Sequence, residues 1–108
     1  MSRSVIKINY ESDFQIVDQN VKRVLINAGY RETNKNNEIV WKKGIGMLTA
    51  MQYIKLEYDD NNILRVYGWV QTGIGTVGGK EQDLEGIYAV VPKQGVKNLM
   101  NRIKSVVR

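Results

Sequence analysis

The residues that could carry chemistry in this sequence are carboxylates, lysines and tyrosines, because histidine and cysteine are both absent. Histidine is the commonest general base and metal ligand near neutral pH, and cysteine supplies thiolate ligands and nucleophiles. Their absence excludes a Ser-His-Asp triad, a zinc ribbon and any disulfide bond. No familiar catalytic constellation remains. The sequence therefore predicts a protein that is not an enzyme and that needs no cofactor or metal ion.

A glycine-rich segment holds the remaining enzymatic candidates. Residues 73–78 match the pattern G-x-G-x-x-G, but in a dinucleotide fold that pattern opens a helix, whereas here a strand is predicted to follow. Carboxylates at Glu81, Asp83 and Glu85 alternate and could hold a hard cation, yet they lack the spacing of a calcium loop. We interpret the segment as a loop. Anion binding at Lys80, a cation site, and catalysis by Lys80 or Glu81 are the less favoured alternatives.

The register of the hairpin formed by residues 50–58 and 63–71 decides which of its side chains share a face. A loop of two or four residues would mix polar and apolar groups on both faces. A three-residue loop at 60–62, with Asn62 in the left-handed conformation, gives one apolar face instead. That face holds Ile54, Leu56, Tyr58, Leu64, Val66 and Val70. On the other face the same register sets three pairs side by side: Tyr53 with Trp69, Lys55 with Tyr67, and Glu57 with Arg65.

Aromatic rings on the second face of this hairpin make the main candidate for a binding surface. Tyr53, Tyr67 and Trp69 lie there, and Trp41 is expected to join them from the neighbouring strand. Such a face suits a protein partner, a second copy of the chain or a small ligand. It could also stack nucleic-acid bases, or be covered by the glycine-rich loop 72–83. We favour a non-enzymatic binding or interaction module that uses these four residues and that loop.

The C-terminal helix supplies an alternative function. The chain carries 16 Lys and Arg against 11 Asp and Glu, a net charge of +5, which favours acidic partners. Three cations of the helix predicted over 93–107, together with the last residue of the chain, lie within an arc of roughly 60° beside the apolar stripe: Lys93, Lys97, Lys104 and Arg108. Such a helix can bind nucleic-acid phosphates or anionic lipid. A solvated face is its simpler interpretation, so nucleic acid is not the favoured partner.

The elements that position these residues indicate an α+β fold. An alternating strand over 4–10 precedes an amphipathic helix that begins at Ser12 and ends at Gly29. Pro92 is predicted to open the last helix. Strands over 38–43, 50–58, 63–71 and 84–91 complete the order β-α-β(4)-α, with a short strand over 30–33 as a further element.

The arrangement expected from this order is one domain over residues 1–108. Sequential strands usually pair, so we predict an antiparallel sheet of four to six strands with both helices packed on one face. No stretch approaches the roughly 20 apolar residues that span a bilayer. We therefore expect no transmembrane segment and a cytoplasmic protein.

Two stretches resemble a family of small bacterial domains of unknown function, some of which are fused to zinc ribbons. They are residues 41–55, WKKGIGMLTAMQYIK, and residues 78–93, GGKEQDLEG continuing to VPK. The resemblance implies no activity and no site residues, and without cysteine this chain would be the bare domain. The element order is also similar to the TATA-binding-protein and helix-grip folds, which bind DNA or lipids, but a fold alone does not fix function.

Overall fold

Six strands and two helices form the part of the chain that the computed structural model describes, residues 3–43, 51–72, 80–82 and 90–107. In chain order they are β1 (Ser4–Asn9), α1 (Phe14–Asn27), β2 (Arg31–Lys35), β3 (Glu38–Lys43), β4 (Met51–Asp59), β5 (Ile63–Thr72), β6 (Lys80–Gln82) and α2 (Val90–Val106). The α+β class is confirmed.

The strands form one antiparallel sheet in the order β1-β5-β4-β3-β2, and β6 pairs with the end of β5. Apolar side chains from one sheet face and from both helices make a single buried cluster. It includes Val17, Val21, Leu25, Ile54, Leu64, Val66, Val70, Val96, Leu99 and Ile103. The predicted antiparallel sheet, with both helices on one face, is therefore confirmed.

The hairpin β4–β5 has the register predicted from its loop. Glu57 lies opposite Arg65 and Tyr53 lies opposite Trp69. Asn62 closes the loop at φ 58°, the left-handed conformation that a three-residue hairpin loop requires. Side chains alternate between the faces of a strand, so this one turn assigns every β4 and β5 side chain to a face.

A second hairpin, β2–β3, turns through two asparagines. Asn36 and Asn37 both have positive φ, 52° and 65°, which asparagine tolerates better than most residues. Because the loop is only two residues long, β2 continues to Lys35, beyond the strand predicted over 30–33. That extension places Lys35 on the sheet.

Helix α1 ends as predicted but begins later. Asp13 is its N-cap residue, one position after the predicted start at Ser12, and its side chain makes no capping hydrogen bond. At the other end Gly29 adopts φ +92° and donates to the carbonyl of Ile26. Tyr30 N–H donates to the carbonyl of Leu25, which completes a Schellman motif and turns the chain into β2.

The C-terminal part departs from the sequence-based boundaries. Helix α2 begins at Val90, so the end of the strand predicted over 84–91 and its boundary at Pro92 are wrong. Residues 80–82 form strand β6 inside the predicted loop 72–83. The remaining residues of these two predictions, 73–79 and 83–89, lie outside the described part of the chain.

Candidate functional site

The sheet face opposite the helices, called here the curled face, carries side-chain contacts between strands that are not neighbours. Arg3, directly before β1, donates from Nη2 to Glu38 Oε1 on β3 at 2.7 Å. Lys35 on β2 donates in the same way to Gln71 on β5. Each pair is separated by three strand spacings, about 14 Å in a flat sheet at roughly 4.8 Å each. The long side chains therefore reach toward each other over the strands that lie between them.

Two cations and two aromatic rings form a row across the curled face. The Arg3 guanidinium lies 3.7 Å from the centroid of the Trp69 ring. Trp69 stacks on Tyr53 with 5.4 Å between centroids and 12° between planes. The Lys35 ammonium then lies 4.2 Å from the centroid of the Tyr53 ring. Both ends of the aromatic pair are thus covered by a positive charge, an attractive arrangement for the electron-rich ring faces.

The rings in this row are buried, contrary to the expected exposed surface. Trp69 is 0% exposed and Tyr53 is 5% exposed. The side chains of Arg3 and Lys35 explain the difference, since they lie over the two rings. Tyr67 stays partly exposed and its hydroxyl donates to Glu57 Oε1 at 3.1 Å. The aromatic pair therefore lies buried beneath the cations and does not form a solvent-exposed surface.

Trp41 does not join the group, which corrects the sequence-based placement. Its register partner on β4 is Ile54, so it faces the helices and belongs to the main core, 7% exposed. Val40, the residue before it, points to the curled face and packs against Tyr53 and Trp69. The reason is the two-residue alternation of a strand, which sends neighbouring residues to opposite faces.

Cations outnumber carboxylates on the curled face. Arg3 and the described strand side chains place seven cations there, Arg3, Lys7, Arg31, Lys35, Lys42, Lys55 and Arg65, against three carboxylates, Glu38, Glu57 and Asp59. Lys7, Arg31 and Lys42 are exposed. A surplus of one sign on one face attracts counter-ions and anionic ligands.

Glu38 is the carboxylate in closest contact with the row. It accepts from Arg3 at 2.7 Å and from Lys55 Nζ at 3.5 Å. The Arg3 hydrogen bond, together with both positive charges, lowers the pKa of the Glu38 carboxyl although partial burial opposes this. Glu38 therefore stays ionised and ties Arg3 down over Trp69.

One polar atom beneath these cations lacks a partner. Trp69 Nε1 is buried and makes no hydrogen bond within the described part of the chain. Buried donors are almost always satisfied in folded proteins. The unpartnered donor therefore distinguishes Trp69 from an ordinary core tryptophan.

The predicted basic stripe of α2 is only partly described. Lys104 is exposed and Lys97 is partly buried. Lys93 falls in the first turns of the helix, but its side chain lies outside the described part, as does Arg108. The helix buries the predicted apolar stripe, with Val96 and Ile103 both 0% exposed. The structure thus leaves the basic stripe as a prediction.

Two tyrosines between helices and sheet act as hydrogen-bond donors. Tyr58 donates to Asp18 Oδ1 at 2.9 Å and Tyr30 donates to Gln52 Oε1 at 3.1 Å. Burial raises the pKa of both hydroxyls well above the ordinary value, and for Tyr58 the Asp18 carboxylate adds to the effect. Both hydroxyls remain protonated at neutral pH, so neither is a general base.

The other chemical candidates find little support in the described residues. Within 3–43, 51–72, 80–82 and 90–107 no three acidic side chains cluster as a metal site would require. The side chains of Lys80 and Glu81, and residues Asp83 and Glu85, lie outside that part. No described helix has the length and apolar character needed to cross a membrane.

A shallow groove runs along the outer surface of α1, away from the curled face. Its volume is about 400 Å³, and Ile26 within it is 60% exposed. The rest of its lining is polar: Asp18, Gln19, Lys22, Arg23 and Asn27. A single helix forms the described lining, so the groove has no opposing wall there to enclose a ligand.

Comparison with known proteins adds no assignment to this geometry. No protein-family model matches the chain, and no curated protein or solved structure is significantly similar to it. The resemblance to small bacterial domains therefore stays a prediction, and the function has to be argued from the site itself.

Proposed function

We propose that this domain is a non-enzymatic binding module that recognises an anionic ligand with the curled face of its sheet. The observation that carries the proposal is the charge of that face, seven cations against three carboxylates among the described side chains.

The aromatic residues have a different role in this proposal from the one expected for an exposed platform. Trp69 and Tyr53 support Arg3 and Lys35 from below, so that two flexible cations are held in place before a ligand arrives. Preorganised cations lose less conformational entropy on binding than free ones. Base stacking is disfavoured because both rings are buried, so nucleic acid remains the less favoured partner.

A binding role without catalysis is supported by the residue types and their environment. The sequence has no histidine or cysteine, and Tyr30 and Tyr58 are protonated donors. The proposal keeps the predicted cytoplasmic location. It also keeps the glycine-rich loop predicted over 72–83 as a part of the binding surface, while Trp41 no longer belongs to the binding set.

The alternative, binding through the basic helix α2, can be separated by charge reversal. The double variant Arg31→Glu/Lys42→Glu alters two exposed residues on the curled face. The matched control, Arg102→Glu/Lys104→Glu, alters two exposed residues on α2 by the same charge. Sodium tripolyphosphate serves as the anionic probe, titrated by calorimetry at low and at high salt.

The proposal predicts that the curled-face variant binds the probe at least about tenfold more weakly than the unaltered protein. The helix control should bind nearly as well as the unaltered protein, and added salt should weaken binding because it screens exposed charges. If only the helix variant loses affinity, the basic-helix alternative is correct. If neither variant changes the affinity, the proposed function is wrong.

A further inference from the structure

The indole N–H of Trp69 is a buried hydrogen-bond donor to which the described part of the chain supplies no acceptor. The side chain is 0% exposed, and Nε1 has no hydrogen-bond partner within the described part of the chain. A donor in that position costs the folded protein free energy in the ligand-free state. A ligand that supplied an acceptor would remove this free-energy cost, so binding is favoured at this atom.

The cation over the Trp69 ring is already paired with an internal anion. Arg3 covers the Trp69 ring at 3.7 Å and donates to the carboxylate of Glu38 at 2.7 Å. Glu38 is also within 3.5 Å of Lys55. A carboxylate held between two cations has the charge and shape of the ligand that the proposed function calls for.

We propose that the ligand presents an oxyanion, a carboxylate or phosphate group, which replaces Glu38 on Arg3 and accepts the hydrogen bond of Trp69 Nε1. The inference rests on the proposed function and adds the chemical class of the ligand and the residues that select it. The forked guanidinium of arginine suits both groups, since each offers two oxygens at once.

Replacement of Glu38 is physically accessible because the internal ion pair is not sealed from solvent. The Arg3 and Glu38 side chains are 13% and 28% exposed, so water competes for both charges. The ligand gains an additional bond to Trp69 that Glu38 does not make. Glu38 thus acts as a competitor built into the site, and its removal should strengthen binding.

The first part of the test follows the two indole N–H signals of the ¹⁵N-labelled protein by NMR. One series adds sodium phosphate and a second adds sodium acetate, which separates the two sources of an oxyanion. The Trp69 signal should shift saturably with at least one of them. The Trp41 signal should stay in place, because that ring lies in the core on the other face of the sheet.

The second part compares three variants with the same probes. Glu38→Gln should bind about fivefold or more tightly than the unaltered protein because the competing charge is gone. Glu57→Gln removes one carboxylate from the same face without touching Arg3, so its affinity should change less than about twofold. Trp69→Phe keeps an aromatic ring but no donor, and it should bind several-fold more weakly.

The outcomes separate this inference from the proposed function. A Trp69 signal that ignores both probes overturns the inference, as does a Glu38→Gln variant that binds no better than Glu57→Gln. Neither result touches the proposed function, which fails only if the curled-face charge reversal leaves tripolyphosphate binding unchanged. If Trp69→Phe does not fold, the indole signals of the unaltered protein and the affinities of the two glutamate variants still test the inference.

Discussion

Tyr53 and Trp69 lie opposite each other on neighbouring strands and stack with their ring planes 12° apart. The pair forms a small second core on the face of the sheet that carries no helix, together with Val40. Arg3 and Lys35 cover its two ends. A face that would otherwise be an open aromatic surface is in this way sealed by charged side chains, which is why it combines burial with a positive potential.

Truncation of Trp69 should damage the fold as well as any binding. The side chain is fully buried, so Trp69→Ala leaves a large cavity and should lower the free energy of unfolding by about 3–5 kcal/mol. Trp69→Phe should cost clearly less, because both variants remove the unpartnered donor but Phe keeps an aromatic ring and leaves a smaller cavity. Urea unfolding measures both values. A Trp69→Phe variant as unstable as Trp69→Ala would show that the loss does not follow the size of the cavity.

The ion pair between Arg3 and Glu38 should make a small, pH-dependent contribution to stability. The pKa of Glu38 is lowered in the folded protein, so the contribution is present above its ordinary pKa near 4.3 and is lost as the pH falls below that. Because the Glu38 side chain is 28% exposed, we expect less than about 1 kcal/mol. Urea unfolding of Glu38→Gln at pH 7 and pH 3 tests this. The variant should be less stable than the unaltered protein at pH 7 only. An equal loss of unfolding free energy at both pH values would contradict the assignment.

Gly68 should not tolerate a side chain because helix α2 packs directly on it. A methyl group there would lie 2.6 Å from Met100 Sδ and 2.8 Å from Val96 Cγ1. Methionine can move aside, but branched Val96 is stiff, so Gly68→Ala should destabilise the protein by about 1–3 kcal/mol. The double variant Gly68→Ala/Val96→Ala should show a smaller loss than the sum of the two single variants in thermal or urea unfolding. Strict additivity would mean that the clash is not at Val96.

Stability should also fall at alkaline pH because of two buried tyrosines. The pKa values of Tyr30 and Tyr58 are raised by burial, whereas in the unfolded chain tyrosine ionises near pH 10. The unfolded state therefore loses protons first, and stability declines as the pH rises above about 10. The decline is at most about 1.4 kcal/mol per pH unit for each tyrosine. Unfolding of the unaltered protein and of Tyr58→Phe at pH 8 and pH 11 should show a shallower decline in the variant. Parallel declines would exclude Tyr58 as a source.

Much of the fold follows from local patterns in the sequence. The amphipathic stripe of α1, the Gly29 stop and the loop around Asn62 each depend on a few neighbouring residues, and the structure has all three. The register of β4–β5 could be predicted because only one loop length separates apolar from polar side chains. Helix α2 was harder to delimit at its start, since the apolar run 87–91 suits a buried strand as well as a helix.

The site could be predicted only in part, because side-chain contacts between strands that are not neighbours have no local signal. The pairing of Tyr53 with Trp69 was accessible from the hairpin. Arg3, Lys35 and Glu38 reach the rings across three strand spacings, and nothing near them in sequence indicates that contact. Trp41 was misplaced for a related reason. The register of β3 against β4 depends on the connection over 44–50, which carries no distinctive turn pattern.

The central claim, that the curled face binds an anion, is tested most directly by mapping the backbone amide shifts of the ¹⁵N-labelled protein during a tripolyphosphate titration at low salt. The account predicts saturable shifts for residues around Arg3, Lys42 and Tyr53, with residues 94–107 of α2 little affected. Shifts confined to α2, or no saturable shift in the sheet, would contradict it.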